Sequence, residues 1–311
     1  MNRIAKLSLI LIPAALALAV SPRVSATAQD MVTKTIYATF VDKDGKPVTD
    51  LQPEEVGIFE DGKMPPRTIV SLKKATSPIT IMMLADTTKT VSGTGLDRRS
   101  TSGASMGELI RDIRDAFSGL VTQMTTANPK NELGLMEFGQ AAIDVTKFTS
   151  NADDLTKGIG KLVAKPDAKS VLLEAILDAS KQLSKVSNAR RAIISINVEP
   201  SDEDSREPAN NIMKVLASAR APLFAVSIQK GDLRNPSRGP ILDGFTDKTG
   251  GRHDAIVGQS ALVGMLKQYG DLLNAQYEIT YQRPAGAPPQ VLQMGLQRTG
   301  IKIYHSKFPP Q

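Results

Sequence analysis

Between Met31 and Leu72 hydrophobic and polar residues alternate in short runs. Thr35, Tyr37, Thr39 and Val41 interleave with Ile36, Ala38 and Phe40 up to the turn sequence Asp42-Lys43-Asp44-Gly45, and residues 56–59 and 68–70 flank a second turn at Asp61-Gly62. Period-two runs bounded by Asp-Gly turns predict a small β module. After Ser77-Pro78 the texture changes. Residues 79–84 are apolar apart from Thr80, as expected of a strand buried on both faces. A loop rich in Ser, Thr and Gly runs to Gly103. Beyond it Ile110, Ile113, Phe117, Leu120, Val121 and Met124 recur at helical spacing, behind Ser105 and Glu108 in capping-box register. Further strands are predicted at 133–138, 143–148, 192–198 and 223–228, and helices at 152–163, 171–186, 208–219 and 260–274.

Strands alternating with helices over this length imply an α/β fold with a doubly wound, mostly parallel sheet. The short connection from Phe138 to Ile143 makes the 143–148 segment an antiparallel edge strand. From Tyr277 the β texture returns at 277–281, 291–296 and 301–304. Each β-rich end is too short for a core of its own, so the two are expected to pair into one small β domain. The predicted organisation is a leader over 1–28, an N-terminal β module over 29–76, an α/β domain over 77–275 and a C-terminal β segment over 276–311.

The leader is read as a signal peptide. Arg3 and Lys6 precede an apolar run from Leu7 to Val20, and small residues at Val24-Ser25-Ala26 or Ala26-Thr27-Ala28 offer a cleavage site. The run is interrupted by Pro13 and is short for a spanning helix, so the expectation is an exported periplasmic or extracellular protein with no membrane span after cleavage. The formal charge of +6 includes Arg3, Lys6 and Arg23 of the leader, leaving +3, which gives no reason to expect a nucleic-acid partner. The 311 residues contain no Cys and only two His, His253 and His305. That excludes disulfides, thiol nucleophiles and multi-histidine metal sites.

In an open α/β sheet ligands bind at the carboxyl ends of the strands. The first central strand ends in Asp86-Thr87-Thr88-Lys89-Thr90, a carboxylate followed by two hydroxyls that can aim three hard oxygens at one point. Such a set suits Mg²⁺, Mn²⁺ or Ca²⁺, and turn chemistry within the loop is the alternative.

Asp86-x-Thr88-x-Thr90 resembles the first segment of the metal-ion-dependent adhesion site of von Willebrand factor A domains, Asp-x-Ser-x-Ser. Residues 169–175 are similar to the family's Thr-bearing loop and following helix, with Ser170 at the Thr position. Residues 190–196 are similar to the strand before its Thr-Asp-Gly loop, and Thr249-Gly250-Gly251-Arg252 to its Thr-Gly-Gly turn. The flanks, including Phe59-Glu60-Asp61-Gly62 and Tyr277-x-x-x-Tyr281, resemble the exported bacterial VWFA-related domain proteins. The resemblance implies a von Willebrand factor A-like fold and a site at Asp86, Thr88, Thr90 and Ser170 that takes Mg²⁺ or Mn²⁺. Ile196-Asn197-Val198-Glu199-Pro200 stands where Thr-Asp-Gly is expected, with Val198 at the Asp position and Lys89 beside the cation, so the implied site is degenerate and its binding weak.

Gly103-Ala104-Ser105-Met106-Gly107 spells a nucleophile elbow, but a long polar loop rather than a strand precedes it and Ser105 reads as a helix cap. The acidic run Asp202-Glu203-Asp204 is expected near the face of Asp86, as solvated charge or as part of a recognition surface. His253 is read as a surface loop residue. These readings predict a non-enzymatic binding module with a protein partner and no small-molecule substrate. The alternatives are a serine hydrolase using Ser105 with His253, or a structural envelope component without metal.

Overall fold

The fold is that of a computed structural model, which describes residues 30–88, 106–165, 169–199, 203–229 and 236–310. The leader and Lys89, Thr90 and Ser105 lie outside the described residues.

The central sheet is built from β4 (Ile79–Asp86), β5 (Glu132–Phe138), β6 (Ala142–Thr149), β7 (Arg190–Val198), β8 (Leu223–Gln229) and β9 (Arg252–Val257). Its strand order is β6-β5-β4-β7-β8-β9. Every pairing is parallel except β5 with β6, so the antiparallel edge expected from the short connection is present. All eight residues of β4 and all seven of β8 are buried, because helices cover both faces. On one face α1 (Met106–Ala127) and α6 (Leu262–Asn274) pack on Ile81, Met83, Ile194, Ile196, Val198 and Val226. On the other, α3 (Leu172–Leu183), α4 (Ala209–Ala219) and α5 (Arg238–Thr249) pack on Met82, Leu84, Ile193 and Ala225. A short α2 (Ala152–Gly160) follows β6, its N-terminus capped by Asn151 Oδ1 accepting from Asp153 N at 2.9 Å.

The two chain ends meet as expected. β1 (Met31–Val41) pairs antiparallel with β10 (Tyr277–Pro284) and with β12 (Lys302–His305), and β10 also pairs with β3 (Thr68–Lys74). A second, two-stranded sheet joins β2 (Val56–Glu60) to β11 (Leu292–Leu296). Phe40, Ile58, Tyr277, Ile279, Tyr281 and Leu292 fill the space between them. This unit is joined to the α/β unit through shared core residues Val41 and Tyr304, and through Thr39 Oγ1 donating to Leu272 O at 2.9 Å.

The helix α5 was not expected, and a strand at β9 was implied only by the likeness to the Thr-Gly-Gly turn. α5 and β9 carry little periodic signal: the helix holds Gly239, Pro240 and Gly244, and the strand opens with Arg252-His253-Asp254. The turn between them explains the Thr-Gly-Gly sequence. Gly250 has a φ of 80°, and a Cβ on Gly251 would lie 1.8 Å from the carbonyl oxygen of Leu223. Thr249 Oγ1 accepts from Leu223 N at 3.1 Å, fixing the start of β8.

Candidate functional site

Asp86 closes β4 with its side chain wholly buried. Its Oδ1 accepts from Thr88 N at 2.9 Å and from Thr88 Oγ1 at 2.5 Å, and its Oδ2 accepts from Val198 N at 3.0 Å. Burial pushes the carboxyl up to about 6, against the pull of Arg238 and these donors. The carboxylate therefore stitches its own loop to the end of β7.

The residues gathered round Asp86 differ from those the resemblance implied. Val198 does not present its side chain to the site. It lies in the apolar layer with Ile194 and Ile196, under α1 and α6, and contributes only its N–H. Because side chains alternate along a strand, Glu199 turns the other way. Its Oε1 is 3.4 Å from Arg238 Nη1. The expectation that Val198 fills the acidic position is thus corrected: Glu199 is the acid at the end of β7.

Arg238, at the first position of α5, is the centre of the cluster. Its side chain is fully buried, with Nη1 3.8 Å from Asp86 Oδ2 and Nη2 2.9 Å from Glu203 Oε2. Its Nε donates to the same Glu203 oxygen at 3.1 Å. Glu203 is in turn anchored by accepting from Ser205 Oγ at 2.5 Å. The acidic run therefore divides: Glu203 is a part-buried ion-pair partner, whereas exposed Asp204 faces Lys169 at 3.3 Å and Asp202 lies outside the described residues.

Ser170 is buried beside this cluster. Its backbone bridges Glu203, and its carbonyl accepts from Asp204 N at 2.7 Å, while its Oγ has no hydrogen-bond partner among the described residues. Segment 203–206 also completes the N-terminus of α3. Val171, at the cap position, has no side chain able to accept, and Ser205 Oγ accepts from Glu174 N at 3.2 Å instead. Glu174 Oε1 returns the bond by accepting from Arg206 N at 3.0 Å.

The structure thus brings Asp86, Thr88 and Ser170 to one end of the sheet, and Thr90 lies outside the described residues. Among the described residues this arrangement does not fit a divalent cation. Both oxygens of Asp86 are taken by donors, the Thr88 hydroxyl is spent on Asp86, and Asp86, Glu199 and Glu203 already share the Arg238 guanidinium. Among the described residues no group of three or more His, Cys, Asp or Glu is placed to hold a metal.

His253 is a strand residue, not a surface loop residue. On β9 its Nε2 is 2.9 Å from Ser227 Oγ of β8 and its Nδ1 is 2.7 Å from Asp243 Oδ1 of α5. Both ring nitrogens are committed, which leaves neither for Ser105. The Ser-His-Asp order is that of an acyl-transfer triad, but Ser227 is buried in mid-strand and paired on both sides with Asn197 and Ala255.

The strand order, the antiparallel edge and the acid closing the first central strand give the α/β unit a von Willebrand factor A-like fold. Solved structures of that class are similar in fold. One is a von Willebrand factor type A protein from Catenulispora acidiphila, at 10% identity and TM-score 0.47 over 91% of this chain and 73% of that one. Another is the SpRpn10 VWA domain, at 15% identity and TM-score 0.43 over 62% and 95%. The chain also matches proximal thread matrix protein 1 of the mussel byssus, at 16% identity and TM-score 0.49 over 63% of this chain, spanning about half (48%) of that protein. At such identities these likenesses bear on fold and not on function. No protein-family model and no curated protein matches the chain.

Proposed function

We propose that the protein is an exported, non-enzymatic binding module that engages a protein partner at the carboxyl-end face of its α/β unit. The supporting observation is the buried ion cluster, which ties the ends of β4 and β7, segment 203–206 and the start of α5 into one rim. A fixed rim is a suitable base for recognition loops. No helix among the described residues is long and apolar enough to cross a membrane. Export is read from the leader, and mass spectrometry of protein from its native host should find a mature chain beginning at Thr27 or Gln29; a chain still starting at Met1 overturns it.

The binding reading is tested by crosslinking capture from the native envelope, with wild type beside Val257→Asp and Lys169→Glu. Val257 is 79% exposed at the end of β9, and Lys169 is exposed beside Ser170. A partner held by wild type and lost from these variants supports the reading, and a partner held equally by all three places binding elsewhere.

A hydrolase reading is favoured only by the Asp243–His253–Ser227 relay. The backbone of Ser227 is spent on its neighbours in the sheet, so the relay supplies no oxyanion hole and no route to the hydroxyl. A fluorophosphonate probe should leave the protein unlabelled. Labelling that Ser227→Ala or Ser105→Ala abolishes would establish an enzyme.

A further inference from the structure

We infer that Arg238 is the resident cation of this site: its guanidinium supplies, as part of the chain, the positive charge that holds the ends of β4 and β7 and segment 203–206 together, so that the face is assembled without metal. Three carboxylates from three separate segments converge on this one side chain. Nη1 lies 3.8 Å from Asp86 and 3.4 Å from Glu199, and Nη2 lies 2.9 Å from Glu203. The same Nη1 reaches the carbonyl of Val198 at 3.4 Å, so the guanidinium also closes the last polar group of β7.

The chemistry of the guanidinium fits this use. It is planar, permanently charged and weakly hydrated compared with an ammonium or a metal ion, and its five N–H groups point in fixed directions. A Mg²⁺ ion would need near-octahedral oxygen coordination close to 2 Å and would have to retain or shed tightly held water. Arg238 instead spreads one charge across acids that lie on different sides of it. Its cost is that it is buried among more negative than positive charge, counted over the described residues, and among these it is the one cation paired with all three acids.

The inference does not depend on what the face binds, and thermal unfolding tests it apart from any partner. Wild-type protein should melt at the same temperature in 5 mM Mg²⁺, in 5 mM Mn²⁺ and in EDTA. Arg238→Met keeps the length and apolar stem but removes the charge. Its melting temperature should fall by roughly 10 °C, the scale expected when one partner of a buried ion cluster is removed from a domain of this size. Mn²⁺ or Mg²⁺ should recover part of that loss, and Na⁺ at equal ionic strength should not. Should Arg238→Met fail to fold, the triple variant Arg238→Met/Glu199→Gln/Glu203→Gln, which removes the surplus acid with the cation, should fold and melt closer to wild type. The inference is overturned if EDTA lowers or Mg²⁺ raises the wild-type melting temperature, if Arg238→Met is as stable as wild type, or if the triple variant is no better folded than the single one.

Discussion

Each of the two units is held by a buried ion cluster, and the two clusters have opposite charge balance. In the β unit a single acid, Glu60 at the end of β2, is shared by two arginines and a phenol. Arg67 Nε lies 2.9 Å from Oε2, Arg283 Nε lies 3.0 Å from Oε1, and Tyr281 Oη donates to Oε1 at 3.0 Å. Burial raises Tyr281 well above the usual tyrosine range, with the Glu60 charge adding to the effect, so the phenol remains a donor. In the α/β unit three acids share Arg238. The β cluster has surplus positive charge and opens to water through Arg67, which is 26% exposed, whereas the side chain of Arg238 is fully enclosed. The minority charge is the residue that each cluster cannot spare. Members of the majority relieve repulsion when they are removed, and that offsets the pairing they lose.

The largest effect should come from putting a further acid on the wrong side of β7. Val198→Asp places a carboxylate in the apolar layer with Ile194 and Ile196, away from Arg238. Urea unfolding should show a loss on the order of 4 kcal/mol or more, from burying an unpaired charge. No Mg²⁺-dependent gain in melting temperature should accompany it. A Mg²⁺-dependent gain would mean that position 198, and not 199, faces the site.

Position 198 is where the strand's alternation and the motif disagree. The apolar runs of β4, β7 and β8 and the alternation at both chain ends were enough for the sheet and the joined β unit, because burial is written directly into such patterns. Asp86 was legible for the same reason, as a carboxylate closing a strand that is apolar apart from Thr80. The orientation of Val198 was legible too: Ile194, Ile196 and Val198 keep period two, which puts Glu199 on the opposite face. Matching the segment to a motif hid that signal. Arg238 had no local signal at all. It begins a helix of weak amphipathicity, and its role exists only where β4, β7 and segment 203–206 meet in space.

Second in size is the loss of the minority charge in the β cluster. Glu60→Gln leaves Arg67 and Arg283 facing each other with only an amide between them. The expected loss is about 3 kcal/mol in urea unfolding, at the low end for a broken buried pair because Arg67 reaches water. A loss smaller than that of Arg67→Met would remove the distinction between minority and majority charges.

The next test uses pH. Asp86 has its carboxyl raised to about 6 in the folded protein, above the ordinary value of 3.8. The proton therefore binds the folded state more tightly than the unfolded one. The stability it contributes is fully present below about pH 4 and is lost as pH rises through about 6. Across that window the stability of wild type relative to Asp86→Asn should fall by up to about 3 kcal/mol. A relative stability that rises with pH would show that Arg238 and the hydrogen bonds outweigh burial at Asp86.

The smallest effects should be found among the majority charges, where the comparison is sharpest. Glu203→Gln removes one of three acids but keeps a carbonyl oxygen to accept from Arg238, with its amide NH2 turned to the Ser205 hydroxyl, which can accept. Arg238 retains Glu199 at 3.4 Å and Asp86 at 3.8 Å, and less negative charge is left enclosed. Lost attraction and relieved repulsion then nearly cancel, and the melting temperature should stay within a few degrees of wild type, equivalent to about 1 kcal/mol. Arg67→Met should behave alike for the mirrored reason: Glu60 keeps Arg283 and Tyr281, and an ion pair whose partner reaches water adds little. The two substitutions remove opposite charges from opposite units, so near-equal small losses would follow from charge balance and not from a greater intrinsic value of either residue type. If Glu203→Gln instead costs as much as Arg238→Met, the bidentate contact from Nε and Nη2 to Glu203 carries the cluster by itself. Asp86 and Glu199 would then be neighbours of that pair and not sharers of its charge.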